Sequence, residues 1–342
     1  MIDKSRVISH FPLSTFHFLL FTFYFSLYKM QLLQLTPQYH ERVWGGQRLR
    51  PAQLPIGEAW LVYEGNIVTN GPFAGQTLAA VTAQHGEALL GKKAMTQTGL
   101  RFPLLIKLLD AADWLSVQVH PNDAQAIRLE GAGQMGKTEA WHVLQTEPNA
   151  RLIAGVKTGT TQAQLAAAIR DGSILDWVQF HDVMAGDTIF MPAGNIHAIG
   201  PGMLIYEVQQ TSDITYRVFD WNRPATTGRK LHIEQSVEVS DPNGTGDLRH
   251  SPVMHPTDQA ELVHCPYFGL DLITSQVEML QLNTQQLSFH AITIVEGCAE
   301  ITCTDEKITL NRFETVIVPA DAGEYVLNPI QPFRALISRM SL

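Results

Sequence analysis

Short runs of alternating or continuous apolar residues recur along the chain between Gly, Pro, Asn and Asp. Ala59-Trp60-Leu61-Val62-Tyr63, Leu115-Ser116-Val117-Gln118-Val119-His120, Ala140-Trp141-His142-Val143-Leu144, Asp187-Thr188-Ile189-Phe190-Met191 and Met203-Leu204-Ile205-Tyr206-Glu207 are examples. Such runs predict the antiparallel strands of a sandwich or barrel, so the expected fold is mainly β. Two stretches carry helical spacing instead, Gln76 to Leu90 and Gln162 to Phe180, and are expected as helical insertions beside the sheets. Turn formers without apolar periodicity gather over 241–262, from Asp241-Pro242-Asn243-Gly244 to His255-Pro256, and mark a linker. Strands return after it, in Ala291 to Gly297 and Phe313 to Pro319. The expected organisation is a larger body with helical insertions over 30–245 and a smaller β body over 255–342.

The first 29 residues stand apart. Phe11 to Tyr28 is a Phe-, Leu- and Tyr-rich run behind Lys4 and Arg6, resembling a signal or anchor segment. No small-residue cleavage site follows it, and the run is short for a spanning helix. The patterned sequence begins at Met30, so an upstream start codon assigned in error is favoured over a membrane anchor.

Composition narrows the partners. With 45% hydrophobic and 17% charged residues in 342, the chain can bury a sizeable core. A formal charge of -9 and a pI near 5.8 leave no basic stripe for nucleic acid. Cys265, Cys298 and Cys303 lack CxxC spacing and read as reduced cytoplasmic thiols.

Three segments carry candidate chemistry. Period-two alternation in Ser116-Val117-Gln118-Val119-His120 puts Ser116, Gln118 and His120 on one face. The alternative is a polar strand end whose His caps the following turn. In Gly136-Lys137-Thr138-Glu139-Ala140-Trp141, Lys137, Glu139 and Trp141 share a face, lining a pocket or forming an exposed ion pair on an edge strand. In Pro192-Ala193-Gly194-Asn195-Ile196-His197 a strand ends in a Pro-Gly turn that presents a His, inward at a site or outward at a hairpin corner. An amide, two imidazoles and a carboxylate on strands of one body suit a divalent Lewis acid with an open position. Arg217, mid-strand between Tyr216 and Val218, needs an anion or a carboxylate such as Asp213 or Asp220. Lys107, inside the apolar run Leu104 to Leu109, reaches a pocket or snorkels to its rim. No Gly-rich phosphate loop, Ser elbow or dinucleotide fingerprint occurs.

Trp44-Gly45-Gly46, Ile56-Gly57-Glu58-Ala59-Trp60, Phe102-Pro103-Leu104-Leu105-Ile106-Lys107, Gln118-Val119-His120-Pro121, Gly136-Lys137-Thr138-Glu139, Pro192 to Ala198 and Tyr216-Arg217-Val218-Phe219-Asp220 occur in one order. This set resembles the type I mannose-6-phosphate isomerases, in their short bacterial form, over residues 32 to 240. The resemblance implies a double-stranded β-helix (cupin or jelly-roll) catalytic body and a second, smaller cupin-like body. It implies one Zn2+ per chain on Gln118, His120, Glu139 and His197, and active-site roles for Arg217, Lys137 and Glu207. Ser116 and Lys107 would line the substrate pocket. The second body has no His at its Pro319 to Gly323 corner and is expected to hold no metal. The sequence departs from the family at Leu61 to Gly65 and in the N-terminal extension.

The implied reaction interconverts mannose 6-phosphate and fructose 6-phosphate through a zinc-stabilised enediolate, with a metal-bound water, Glu207 or Lys137 as proton shuttle. A metal oxygenase would present more His ligands, and Gln118 argues against one. A sugar-binding regulatory protein, or an isomerase of another phosphorylated sugar, are the alternatives. The expected protein is cytoplasmic, a monomer or weak homo-oligomer, and bound to neither nucleic acid nor membrane.

Overall fold

In a computed structural model of the protein, the structure describes residues 29–51 and 54–341; the apolar run before Lys29 lies outside them. Four antiparallel sheets carry the fold. The seven-stranded sheet runs in the order Asp247–Arg249, Thr188–Met191, Glu139–Thr146, Met203–Gln210, Leu104–Ala111, Gln38–Gly46 and Ile56–Val62. Facing it is a five-stranded sheet of Tyr216–Phe219, Val117–Val119, His197–Ile199, Arg151–Val156 and Val178–Asp182. From Leu104–Ala111 to Tyr216–Phe219 the chain passes back and forth between these two sheets, as in a double-stranded β-helix, except that Arg151–Val156 and Val178–Asp182 follow one another as neighbours in the five-stranded sheet.

Alternation along each strand sorts the side chains between layers. Met203 and Ile205 point with Trp141, Val143 and Ile189 into the core between the two sheets, where Leu152 and Ala154 meet them. Leu204 is buried too, and Tyr206 and Val208 point the other way, into a second core shared with helix Leu78–Leu90 and with Leu270, Ala291 and Leu336 of the C-terminal sheet. Burying a side chain of this size contributes roughly 1.5–3 kcal/mol, so both faces of the central sheet are anchored. A third core lies outside the five-stranded sheet, under helices Gln162–Asp171 and Ile233–Val239.

The C-terminal residues form a six-stranded sheet packed on a four-stranded one, with their own core of Ile292, Ile301, Leu310, Val316 and Leu327. The edge of the six-stranded sheet is the two-residue strand Leu33–Gln34, paired with Val316 and Ile317. Within the turn-rich stretch 241–262, Asp247–Arg249 adds an edge strand beside Thr188–Phe190, and Thr257–His264 opens the C-terminal sheet.

The first expected helix forms as Leu78–Leu90, capped by the Thr77 hydroxyl. The second stops at Asp171, short of the expected Phe180. Gly172 takes the left-handed conformation at φ 81°, which ends the helix, and Val178–Asp182 becomes a strand on Arg151–Val156. Helices Lys92–Thr98, Asp123–Glu130 and Ile233–Val239 were not apparent in the pattern, being too short for a clear period. Among the described residues, no helix is long and apolar enough to cross a membrane.

Candidate active site and metal centre

Strand register sets two rows of side chains facing each other between the sheets. On the five-stranded sheet, Gln118 lies opposite His197 on one neighbour and Arg217 on the other. On the seven-stranded sheet, Trp60 lies opposite Lys107, Lys107 opposite Glu207, and Glu207 opposite Trp141. Glu139 precedes Trp141 by two positions and shares its face. The rows bound a polar cavity of about 550 Å³ lined by Ser116, Gln118, Lys107, Lys137, Glu207 and Arg217 among others.

Behind Gln118 and Lys137 of the cavity wall, His197 Nε2 stands 3.2 Å from Glu139 Oε1 and His120 Nε2 3.5 Å from Glu139 Oε2. The Gln118 amide lies 3.2 Å from His197 Nε2 and 3.5 Å from His120 Nε2. The turn segments hold these groups in place. Gly194, at φ 90°, donates its N–H to the His120 carbonyl, and the Ala193 N–H reaches the Thr138 hydroxyl. Each imidazole directs Nδ1 at a backbone carbonyl, His120 at Ile214 and His197 at Asn195. Nδ1 therefore carries the proton, and both Nε2 lone pairs face the cluster. Burial lowers both imidazole pKa values, that of His197 to about 4, so both rings are neutral electron-pair donors.

This donor set fits a small divalent cation. Glu139 is fully buried, and its close polar neighbours are the two imidazoles and the Lys137 ammonium at 3.0 Å. Donors separated by 3.2–3.5 Å match the edge of about 3.3 Å expected for a tetrahedron of zinc–ligand bonds. Gln118 needs only a half-turn of its amide to present the oxygen.

Lys107 pairs with Glu207 Oε2 at 3.1 Å, while Trp141 Nε1 donates to Glu207 Oε1 at 3.0 Å. Burial favours the neutral acid in Glu207, but Lys107 and Lys137 outweigh it and lower the pKa. Lys107 is buried in the pocket, not snorkelling to its rim. Of the carboxylate partners considered for Arg217, Asp213 lines the same cavity and acts on it through its charge, while Asp220 serves elsewhere. Asp220 pairs with Arg223 and Arg229, and Arg217 bonds the Lys230 carbonyl at 3.3 Å while its Nε is buried without a partner. Ser116, buried beside Gln118, accepts a contact from Arg229 at 3.4 Å. The sequence pattern gave no sign of Arg229, which sits in a Thr- and Gly-containing loop without periodicity, nor of Arg42 and Glu58 across the cavity.

A family model for phosphomannose isomerase type I, catalytic domain, matches residues 32–142. A mannose-6-phosphate isomerase of Streptococcus mutans is 35% identical over 303 residues, which is 84% of this chain and 92% of that protein. The chain belongs to the mannose-6-phosphate isomerase family. The crystal structure of the mannose 6-phosphate isomerase from Bacillus subtilis superposes with a TM-score of 0.79 at 28% identity, over 90% of this chain and 99% of that one. A zinc-bound mannose 6-phosphate isomerase structure, 16% identical, shares the fold with a TM-score of 0.73 over 92% of this chain and 100% of that one. Of the residues expected at the site, Ser116, Gln118, Lys107, Lys137, Glu207 and Arg217 line one cavity, His120, Glu139 and His197 cluster behind Gln118 and Lys137, and the exposed alternatives for His120, His197 and the Lys137–Glu139 pair fall away, since all four are buried.

Proposed function

We propose that the protein interconverts mannose 6-phosphate and fructose 6-phosphate with one zinc ion on Gln118, His120, Glu139 and His197. The observation that carries this reading is the buried His120–Glu139–His197 cluster, joined through Gln118 and Lys137 to a cavity that Lys107, Arg217 and Arg229 also line. The zinc-bound relative supports the choice of metal. Bound zinc would supply Lewis-acid polarisation of the sugar oxygens flanking the migrating hydrogen.

The chain's own residues do the rest. The phosphate is held by the Arg229 guanidinium and the Ser116 hydroxyl, with Arg217 Nε free to donate. Glu207, an anion, takes the proton from the carbon beside the carbonyl and returns it to the neighbouring carbon, and Lys107 holds its Oε2. Arg217 faces this carboxylate from the other sheet and offsets the negative charge of the enediolate. Lys137 is unsuited as the base, because Glu139 and Glu207 overcome the effect of burial and raise its pKa. Three free cysteines accord with the cytoplasm, and a site built from one chain accords with a monomer or weak homo-oligomer.

The test is a coupled assay for fructose 6-phosphate from mannose 6-phosphate, before and after chelation and zinc restoration. Zinc-restorable turnover that is lost in His197→Ala supports the assignment. A folded, zinc-loaded chain that binds the sugar phosphate without turnover would instead indicate a regulatory binding protein.

A further inference from the structure

The wall opposite the five-stranded sheet contains an arrangement that the proposed reaction leaves unused. Glu58 lies two residues before Trp60 on Ile56–Val62 and shares its face. Its carboxylate accepts from Trp60 Nε1 at 2.6 Å, and from Arg42 Nε and Nη2 at 2.9 and 3.2 Å. Glu58 thus accepts three hydrogen bonds within the protein, two of them from one guanidinium, against the single contact on each oxygen of Glu207, and has less capacity left for substrate although it lines the cavity. Burial would raise its pKa, but Lys107 and Arg42 outweigh that and hold it at about 2.

Lys107 is the point on which these contacts act. Its ammonium lies 5.4 Å from the centroid of the Trp60 ring, within cation–π range, and 3.1 Å from Glu207 Oε2. Lys107 is therefore paired with Glu207 and attracted by the charge of Glu58, and each carboxylate is fixed by an indole N–H, from Trp141 and Trp60 respectively. The cross-strand row from Trp60 through Lys107 and Glu207 to Trp141 leaves the ammonium little freedom of its own.

We propose that Glu58 is a positioning residue that locks the Trp60 indole and thereby keeps the Lys107 ammonium on Oε2 of Glu207, so that proton transfer at Glu207 starts from one geometry. The proposal rests on the isomerase function given above. It separates a group that touches substrate from one that orders its neighbours, so its loss lowers turnover and leaves substrate binding intact.

The experiment is a double-mutant cycle on the full, zinc-loaded chain with mannose 6-phosphate. Glu58→Gln keeps the shape and an acceptor but removes the charge, and Trp60→Phe removes the indole N–H but keeps an aromatic face. We expect kcat to fall about 10–100-fold in Glu58→Gln with KM within about threefold of wild type. Trp60→Phe should lower the same parameter, and the double variant should be no worse than the weaker single, as for two residues acting through one contact. A kcat for Glu58→Gln within about twofold of wild type, losses that multiply in the double variant, or a change confined to KM would each overturn the proposal. If Glu58→Gln does not fold, Trp60→Phe decides alone, and an unchanged kcat overturns it. An inactive wild type overturns the isomerase function and this proposal with it, whereas an active wild type with unaffected variants overturns this proposal only.

Discussion

Glu139 shows how far burial shapes the chemistry of a single side chain. Desolvation raises its pKa to about 7, the ion pair with Lys137 notwithstanding, so the metal-free carboxyl is largely protonated in mild acid. A cation must displace that proton, while His197, at about 4, offers no competition above pH 5. Zinc affinity measured by chelator competition should therefore be about tenfold weaker at pH 6 than at pH 8. Arg217 makes a different point, because one end of its guanidinium bonds the Lys230 carbonyl while its Nε has no partner among the described residues. The buried Nε is free for a ligand, and a lysine cannot reproduce the planar fork. Arg217→Lys should lower kcat/KM by about 100-fold or more with the melting temperature unchanged, as read by steady-state kinetics and calorimetry.

At the scale of strands, alternation predicted which residues share a face, and the structure keeps those groupings. Ser116 bonds Gln118, which meets His120, and Lys137 pairs with Glu139, which shares His197 as a neighbour with Trp141. Register is the part that one sequence does not encode locally, since it depends on which strands become neighbours. The Trp60–Lys107–Glu207–Trp141 row therefore cannot be read from the sequence, and neither can Arg229, which reaches Ser116 from a loop without periodicity. The helical end expected near Phe180 failed for a local reason, the left-handed Gly172. Close approach of two strands also explains the Gly45 of the Trp44-Gly45-Gly46 motif. A Cβ there would sit 2.4 Å from the Gly57 backbone nitrogen. Gly45→Ala should destabilise the fold by about 1–3 kcal/mol or more, seen as a lower urea midpoint, because backbone must move to admit it.

Across the whole molecule, the layers are stacked and share apolar cores, and polar links cross between them. Tyr206, on the strand that also carries Glu207, bonds Ser338 of the C-terminal sheet at 2.8 Å, so that sheet buttresses the back of the catalytic wall. Buried histidines are spread through this stack. His142 in the central sheet and His290 in the C-terminal sheet both have pKa values lowered by burial to about 4. The unfolded chain takes up these protons near pH 6.5, whereas the folded one resists until about 4, so stability is lost as pH falls through that window. Melting temperature should decline steadily from pH 7 to pH 4.5. A flat profile over that range would mean the rings are solvated in solution. The edge strand Leu33–Gln34 has a consequence of another kind. It leaves the ribosome early but pairs with Val316 and Ile317, which are made tens of seconds later at about 5–20 residues per second. During synthesis Gln34 can meet Thr69 and Asn70 soon after it is made, whereas Leu32, buried in the core of the C-terminal sheets, must wait for its partners. The C-terminal sheet therefore gains this edge strand only late in synthesis, and until then Leu32 is an apolar side chain without its core, a contact that chaperones would have reason to cover.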